Sequence, residues 1–134
     1  MRRNTDDESK RWMAQAKSDL ADAHYLCEGK RYNACCFFCQ QAAEKAIKAY
    51  LYQQGAEHIY GHSVAELCLE ASKLDQSFDD IRTAVSPLDV YYIPTRYPNA
   101  LPGGIPSKAF SVEDAERALS MVKIVIELAD KKLS

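Results

Sequence analysis

Residues that break helices are scarce in this chain of 134 residues. It has five glycines and five prolines, and four of the prolines lie within residues 93–106. Alanine, leucine, glutamate and lysine, which all favour helix, recur through the remaining segments. A β-sandwich or barrel needs many turns rich in glycine and proline, and this sequence does not supply them. The scarcity predicts an all-α protein.

Long apolar runs and an excess of one charge are also missing. No stretch approaches the about 20 apolar residues that a membrane-spanning helix needs, and the opening residues, MRRNTDDESK, hold no apolar core of a secretory signal. With 17 basic and 19 acidic residues, the formal net charge is −2, which is too balanced for a general nucleic-acid coat. We expect a cytoplasmic protein, and any anion site must be a local cluster.

The cysteine pattern excludes a disulfide scaffold. There are five cysteines, an odd number, whereas a secreted disulfide framework normally has an even set. Cys36 and Cys39 form a CxxC, but a structural zinc site needs about four ligands and no second pair follows. The CxxC also lies inside an apolar, helical stretch. We therefore expect small buried core cysteines and no metal site.

Known catalytic motifs are absent. The sequence has no glycine-rich phosphate loop, no GxSxG and no HExxH. Its paired carboxylates, Asp6-Asp7 and Asp79-Asp80, lie at predicted helix starts, where they serve the helix dipole. No catalytic residue and no cofactor is predicted from the residues.

Apolar residues at helical spacing predict four to five helices in an up-and-down bundle, which we interpret as a single domain over residues 1–134. Pro87 should kink or shorten the fourth helix. Ser111 and Asp114 should cap the last helix, where Ala118, Met121, Val125 and Leu128 widen the apolar stripe. That width predicts a homodimer. The predicted helices cover residues 6–28, residues 32–54, a segment from 63, residues 78–92 and a segment from 111.

The predicted second helix carries a polar stripe. Gln41, Lys45, Lys48 and Tyr52 recur at i, i+4, i+7 and i+11, with Glu44 beside them. Two lysines a turn apart can bind one phosphate or carboxylate. The alternative is a solvated face on which Glu44 and Lys48 form an ion pair.

A long irregular segment follows the fourth helix. In it, Arg96 stands between Pro94 and Pro98 and beside Tyr97. A guanidinium on phosphate and a tyrosine on a base would suit a nucleotide. The alternative is a loop whose tyrosines pack on the bundle while Arg96 pairs with a carboxylate.

His62 stands just before the third predicted helix. Its position would let it join the free amides at the helix start in binding an anion. The alternative is a histidine that packs at the helix entry.

Several of these residues resemble the HEPN family, whose name stands for higher eukaryotes and prokaryotes nucleotide-binding. The resemblance covers about residues 11–133, and the TRYP…LP…IP…F stretch is also similar to the C-terminal HEPN domain of sacsin. The matching parts are Trp12, Ala16, Asp19-Leu20 and Ala23, then Tyr32-Asn33-Ala34, the QQAAEKAIKA run, His62-Ser63 and the Tyr92-Ile93-Pro94-Thr95-Arg96-Tyr97-Pro98 segment.

The resemblance implies a short bundle with long antiparallel helices, and a homodimer. It implies a nucleotide of the ATP or GTP class, or RNA phosphate, as ligand, and a small nucleotidyltransferase as a possible toxin–antitoxin partner. The site that we predict comprises Lys45, Lys48, His62, Arg96 and Tyr97.

Some members of the family that this chain resembles are ribonucleases with an Arg-x4-6-His motif near the last helix. This chain departs from that motif, because no histidine follows Arg96 and no other arginine has one at that spacing. We therefore expect a binding module, with a metal-independent ribonuclease as the alternative.

Overall fold

The computed structural model describes residues 5–134, and that part of the chain folds into helices and loops without a strand. The predicted all-α bundle is confirmed. The α-helices are α1 (Thr5–Glu28), α2 (Tyr32–Gln53), α3 (Val64–Ser72), α4 (Ser77–Val85), α5 (Pro106–Ala109) and α6 (Val112–Leu133), and 3₁₀ turns cover Ser86–Tyr91 and Pro98–Ala100.

Helices α1 and α2 form a tight hairpin. Three residues, 29–31, join them, so the two helices run antiparallel. Lys30 adopts a left-handed conformation with φ of 63°, and the amide of Arg31 donates to the carbonyl of Leu26 at 2.8 Å. This closes the end of α1 and brings its buried face onto α2.

Helix α2 lies at the centre of the bundle, against both α1 and α6. Ala42, Ala43, Ala46 and Ala49 are completely buried on it. Such small side chains let neighbouring helices approach closely, and the bulky residues of the core fill the remaining space. A polar group on this helix is therefore enclosed unless it points towards an opening.

The fourth predicted helix divides in two. Residues 78–92 were expected to form one helix, but the α-helix ends at Val85 and a 3₁₀ turn continues from Ser86 to Tyr91. Pro87 lies at the start of that turn. Its nitrogen cannot donate to the preceding helical turn, so the backbone tightens there. The α-helix is therefore shorter than residues 78–92, as expected from Pro87.

Helix α6 starts at the predicted cap. The Ser111 hydroxyl accepts from the Asp114 amide, and the Asp114 carboxylate accepts from the Ser111 amide. Along the helix, Ala118, Met121 and Val125 are buried within the chain itself. Those residues are therefore not spare surface for a second subunit, and the width of the stripe does not support the predicted homodimer. None of the helices within residues 5–134 is both long and apolar enough to cross a membrane.

Candidate functional site

The guanidinium of Arg96 is surrounded by aromatic rings. Its Cζ lies 4.3 Å from the ring centre of Phe37, 4.8 Å from that of Tyr92 and 5.2 Å from that of Tyr97. Cation–π contacts of this kind hold an arginine without neutralising it. No carboxylate of residues 5–134 forms an ion pair with Arg96, whose side chain is exposed.

Hydrogen bonds hold the loop that carries Arg96. The Asn33 side chain, in the first turn of α2, donates through Nδ2 to the carbonyl of Thr95 at 3.0 Å. The Thr95 hydroxyl is buried and donates to the carbonyl of Tyr91. Arg96 uses Nε to donate to the carbonyl of Tyr92 at 2.8 Å. These hydrogen bonds hold the backbone around Arg96 in place. The two terminal amino groups of its guanidinium remain open to a ligand.

A depression of about 390 Å³ adjoins Arg96. It lies between the start of α2, the Arg96 loop and the start of α5, and the first turn of α2 contains no acidic residue. The dipole of α2 therefore adds positive potential at this end. The depression is lined by Asn33, Ala34, Phe37, Thr95, Arg96, Pro98, Ile105, Pro106 and Ser107.

His62 joins this region through Tyr92. The two rings stack, with centres 4.8 Å apart and planes 17° apart. His62 Nδ1 lies 3.2 Å from Glu44 Oε1, and 57% of the His62 side chain is exposed. Arg96 and His62 therefore share the Tyr92 ring, while a buried carboxylate orients the imidazole.

Lys48 meets the same carboxylate from within the helix. Its Nζ donates to Glu44 Oε2 at 3.0 Å and lies 5.5 Å from the ring centre of Trp12. Lys48 and Glu44 are both buried. The ion pair considered as the alternative from the sequence exists, but it is enclosed rather than solvated.

Lys45 points in a different direction. It forms a 2.5 Å ion pair with Asp19 of α1, and Gln15 donates to the other oxygen of that carboxylate at 2.8 Å. Lys45 lines a separate depression against α1, together with Trp12 and Arg11, and not the one beside Arg96. The structure thus brings Lys48, His62, Arg96 and Tyr97 into one chain of contacts, and Lys45 lies outside that chain.

The amides at the start of α3 are not free. Ser63 caps the helix by accepting from the Glu66 amide at 3.1 Å, but Asp89 occupies the remaining donors. The Asp89 carboxylate accepts from Val64 N at 2.5 Å and from Ala65 N at 3.2 Å, and from the Ser63 hydroxyl at 2.7 Å. The expectation that these amides would receive an external anion is therefore wrong, because an internal carboxylate already fills that role.

The five thiols are free. Burial raises the pKa of Cys36 to about 12, and burial raises that of Cys68 to about 12 as well. A thiol with such a pKa is almost entirely protonated at neutral pH, and so is a poor metal ligand or nucleophile. Within residues 5–134, no group of His, Cys, Asp or Glu is arranged to hold a metal ion.

Sequence reasoning missed several residues that build this region. Phe37 was expected to be plain core on an apolar helix, Asn33 was named only within the family resemblance, and Asp89 was not singled out. The hydrogen-bond partner of Asn33, Thr95, lies 62 residues away in the sequence. Val64, a hydrogen-bond partner of Asp89, lies 25 residues away from it. Tyr92, in contrast, was named from the sequence, because it adjoins the loop of Arg96.

Comparisons with known proteins place this fold. The HEPN domain family matches residues 9–132. A solved structure from Thermus thermophilus is 32% identical, with a TM-score of 0.87, over 92% of this chain and 97% of that one. An archaeal HEPN homologue is 31% identical, with a TM-score of 0.78 over 100% of both chains. A HEPN domain protein from Thermotoga maritima is 32% identical, with a TM-score of 0.71, over 90% and 95%. No curated protein matches significantly.

Proposed function

The chain belongs to the HEPN domain family, and we propose that it is a binding module for a nucleotide or another polyanion, such as the phosphates of RNA. The nucleotide would be of the ATP or GTP class, as the family resemblance implies. Arg96 is the centre of the proposed site, and the protein would hold its ligand without transforming it.

One observation carries this proposal. The Arg96 guanidinium lies among three aromatic rings and has no carboxylate partner within residues 5–134. By contrast, the side chains of Arg11, Arg82 and Arg117 each pair with a nearby carboxylate. An arginine that is held by stacking keeps its charge and its forked donors for a phosphate. Its backbone position is already set, so little entropy is lost on binding.

The five predicted residues take different parts in the proposed site. Arg96 would bind phosphate, and Tyr97, half exposed at 50%, would stack on the ligand. His62 would contribute beside them, because it stacks on the Tyr92 ring that Arg96 also contacts. Lys48 and Lys45 would attract the ligand only through long-range electrostatics and would not contact it, because each is already paired with a buried carboxylate.

The decisive test compares three variants. At low salt, ATP or GTP should stabilise the wild-type chain against heat, and about 100 Kd of ligand should add about 2.7 kcal/mol. Arg96→Ala should abolish the effect, and Arg96→Lys should keep only part of it, because an ammonium cannot bind phosphate in bidentate fashion. Arg117→Ala, an exposed arginine on α6, is the matched control and should behave as wild type.

Two outcomes would contradict the proposal. One is stabilisation by nucleotide that survives Arg96→Ala unchanged. The other is a loss at Lys45→Ala or Lys48→Ala, in folded protein, that exceeds the loss at Arg96→Ala. High salt should weaken genuine binding at this exposed site, since the charges are screened.

Metal-independent RNA cleavage is the second candidate function. The observation in its favour is the His62 ring, whose Nδ1 faces buried Glu44 while the ring stacks on the tyrosine that Arg96 also contacts. A histidine oriented by a carboxylate is a common general acid or base. An assay with single-stranded RNA separates this candidate from binding alone.

Partners and setting complete the proposal. A homodimer is supported by half-buried Leu20 and Leu119, which line a groove between α1 and α6. Light scattering at micromolar concentration should give twice the mass of one chain.

Family membership supports a nucleotidyltransferase partner, which co-purification from the native host would detect. The five free thiols support a cytoplasmic setting.

A further inference from the structure

The depression beside Arg96 is largely apolar, whereas the guanidinium at its edge is charged. Four of its lining residues are apolar rings or branched chains: Phe37, Pro98, Ile105 and Pro106. We propose that this depression holds the base of a nucleotide whose phosphates bind Arg96, and that it prefers an adenine-type base with an exocyclic amino group. The inference rests on the proposed function and narrows its ligand from any polyanion to a nucleoside phosphate.

Size and wall chemistry fit one base. A volume of about 390 Å³ lies at the lower end of small-molecule sites, which span about 300–1,000 Å³. Apolar walls that include the Phe37 ring favour a planar ring, because stacking and burial act on its faces. A bare polyphosphate would gain nothing from them and would leave 47%-exposed Ile105 in water.

Asn33 supplies the polar group that would read the base. One hydrogen of its Nδ2 is used by the carbonyl of Thr95, so the amide is held in one orientation. Its Oδ1 accepts no hydrogen bond within the described part of the chain. A fixed asparagine amide matches the amino group and ring nitrogen of adenine, which it binds in bidentate fashion elsewhere.

The walls are set before any ligand arrives. Thr95 is buried, and Pro98 and Pro106, which both line the depression, restrict the backbone there. Gly104 has φ of 72°, a conformation that a side chain would strain, and it aims the following Ile105. A preformed depression costs little entropy to fill.

The test titrates the whole chain with three probes at low salt: tripolyphosphate, ATP and inosine triphosphate, which lacks the amino group. ATP should bind at least about tenfold more tightly than tripolyphosphate, and inosine triphosphate should lie between them. Ser107→Phe, which fills the depression from an exposed position, should reduce ATP affinity to the tripolyphosphate level and leave tripolyphosphate binding unchanged. The affinity for a 5′-phosphorylated oligoadenylate is then compared with the affinity for ATP. Tighter binding of the oligoadenylate indicates an RNA end as ligand, and tighter binding of ATP indicates a free nucleotide.

Each failure has its own signature. Equal affinity of the wild-type chain for ATP and tripolyphosphate, both lost in Arg96→Ala, overturns the base site and leaves the proposed function standing. No binding of any probe overturns both. If Ser107→Phe does not fold, the comparison of ATP with inosine triphosphate on wild-type protein decides, and equal affinity for these two overturns the adenine preference.

Discussion

Lys48 and Glu44 form an ion pair of 3.0 Å inside the bundle, with only 6% and 5% of their side chains exposed. Removing two charges from water costs several kcal/mol for each ion, and their attraction must offset that cost. Here the pair has help: Gln40 and His62 also contact the carboxylate. The arrangement makes Lys48 a structural residue first, whatever field it adds to the site.

Lys48→Met should therefore destabilise the fold by about 3 kcal/mol, because it leaves the Glu44 charge buried without its main partner. The double variant Lys48→Met with Glu44→Gln should recover part of that loss. Urea denaturation measures both. Lys123→Met is the matched control, since Lys123 forms an exposed pair at 3.9 Å, and it should change stability by less than about 0.5 kcal/mol. Equal effects of the two lysine variants would contradict this account.

Asp89 should matter to α3 in the same way that a helix cap does. Asp89→Ala removes the acceptor of two backbone amides and of the Ser63 hydroxyl, and we expect a loss of about 1–3 kcal/mol. Asp89→Asn should lose less, because it keeps one oxygen acceptor. Chemical denaturation again gives the result, with exposed Asp80→Ala as control. A wild-type stability for Asp89→Ala would show that water can replace the carboxylate.

The helices could be predicted because their signal is local. Apolar residues at helical spacing, Gly29 and the Ser111–Asp114 box mark the ends of α1 and α6 within a few residues, and Pro87 marks the change from α4 to a 3₁₀ turn. Each of these signals depends on neighbours within one or two turns. Sequence alone therefore predicted the bundle.

The site could be predicted only in part, because its electrostatics depend on distant partners. The polar stripe on α2 identified Lys45 and Lys48 as neighbours on the helix and Glu44 as a partner for Lys48, but the counter-charge of Lys45 is Asp19, on another helix. Likewise, nothing near Ser63 in the chain shows that Asp89 occupies its helix start. Arg96 was identifiable because its prolines and tyrosines adjoin it in sequence.

RNA cleavage is not expected from this chain. Cleavage needs a proton-transfer group near the reacting phosphate, and no histidine follows Arg96 at the spacing of the family motif. His62 is linked to Arg96 only through the Tyr92 ring, which both side chains contact. Single-stranded RNA incubated with the wild-type chain and with His62→Ala should stay equally intact. Steady cleavage that both His62→Ala and Arg96→Ala abolish would establish the ribonuclease instead.

Acid should weaken the junction between the α3–α4 turn and the end of α6. A hydrogen bond from Lys132, together with bonds from Ser77, lowers the pKa of Asp75 from 3.8 to about 2. Because the folded-state pKa is depressed, the stabilisation from Asp75 is fully present above about pH 4 and is lost as the pH falls towards 2. Lys132→Met removes the largest cause, so this variant should be less stable than wild type at pH 6, and the difference should shrink between pH 4 and 2. Thermal unfolding midpoints across that range measure it, with the neighbouring exposed residue changed in Lys131→Met as control. A difference between wild type and Lys132→Met that stays constant down to pH 2 would mean that Lys132 stabilises the end of α6 by packing and not through Asp75.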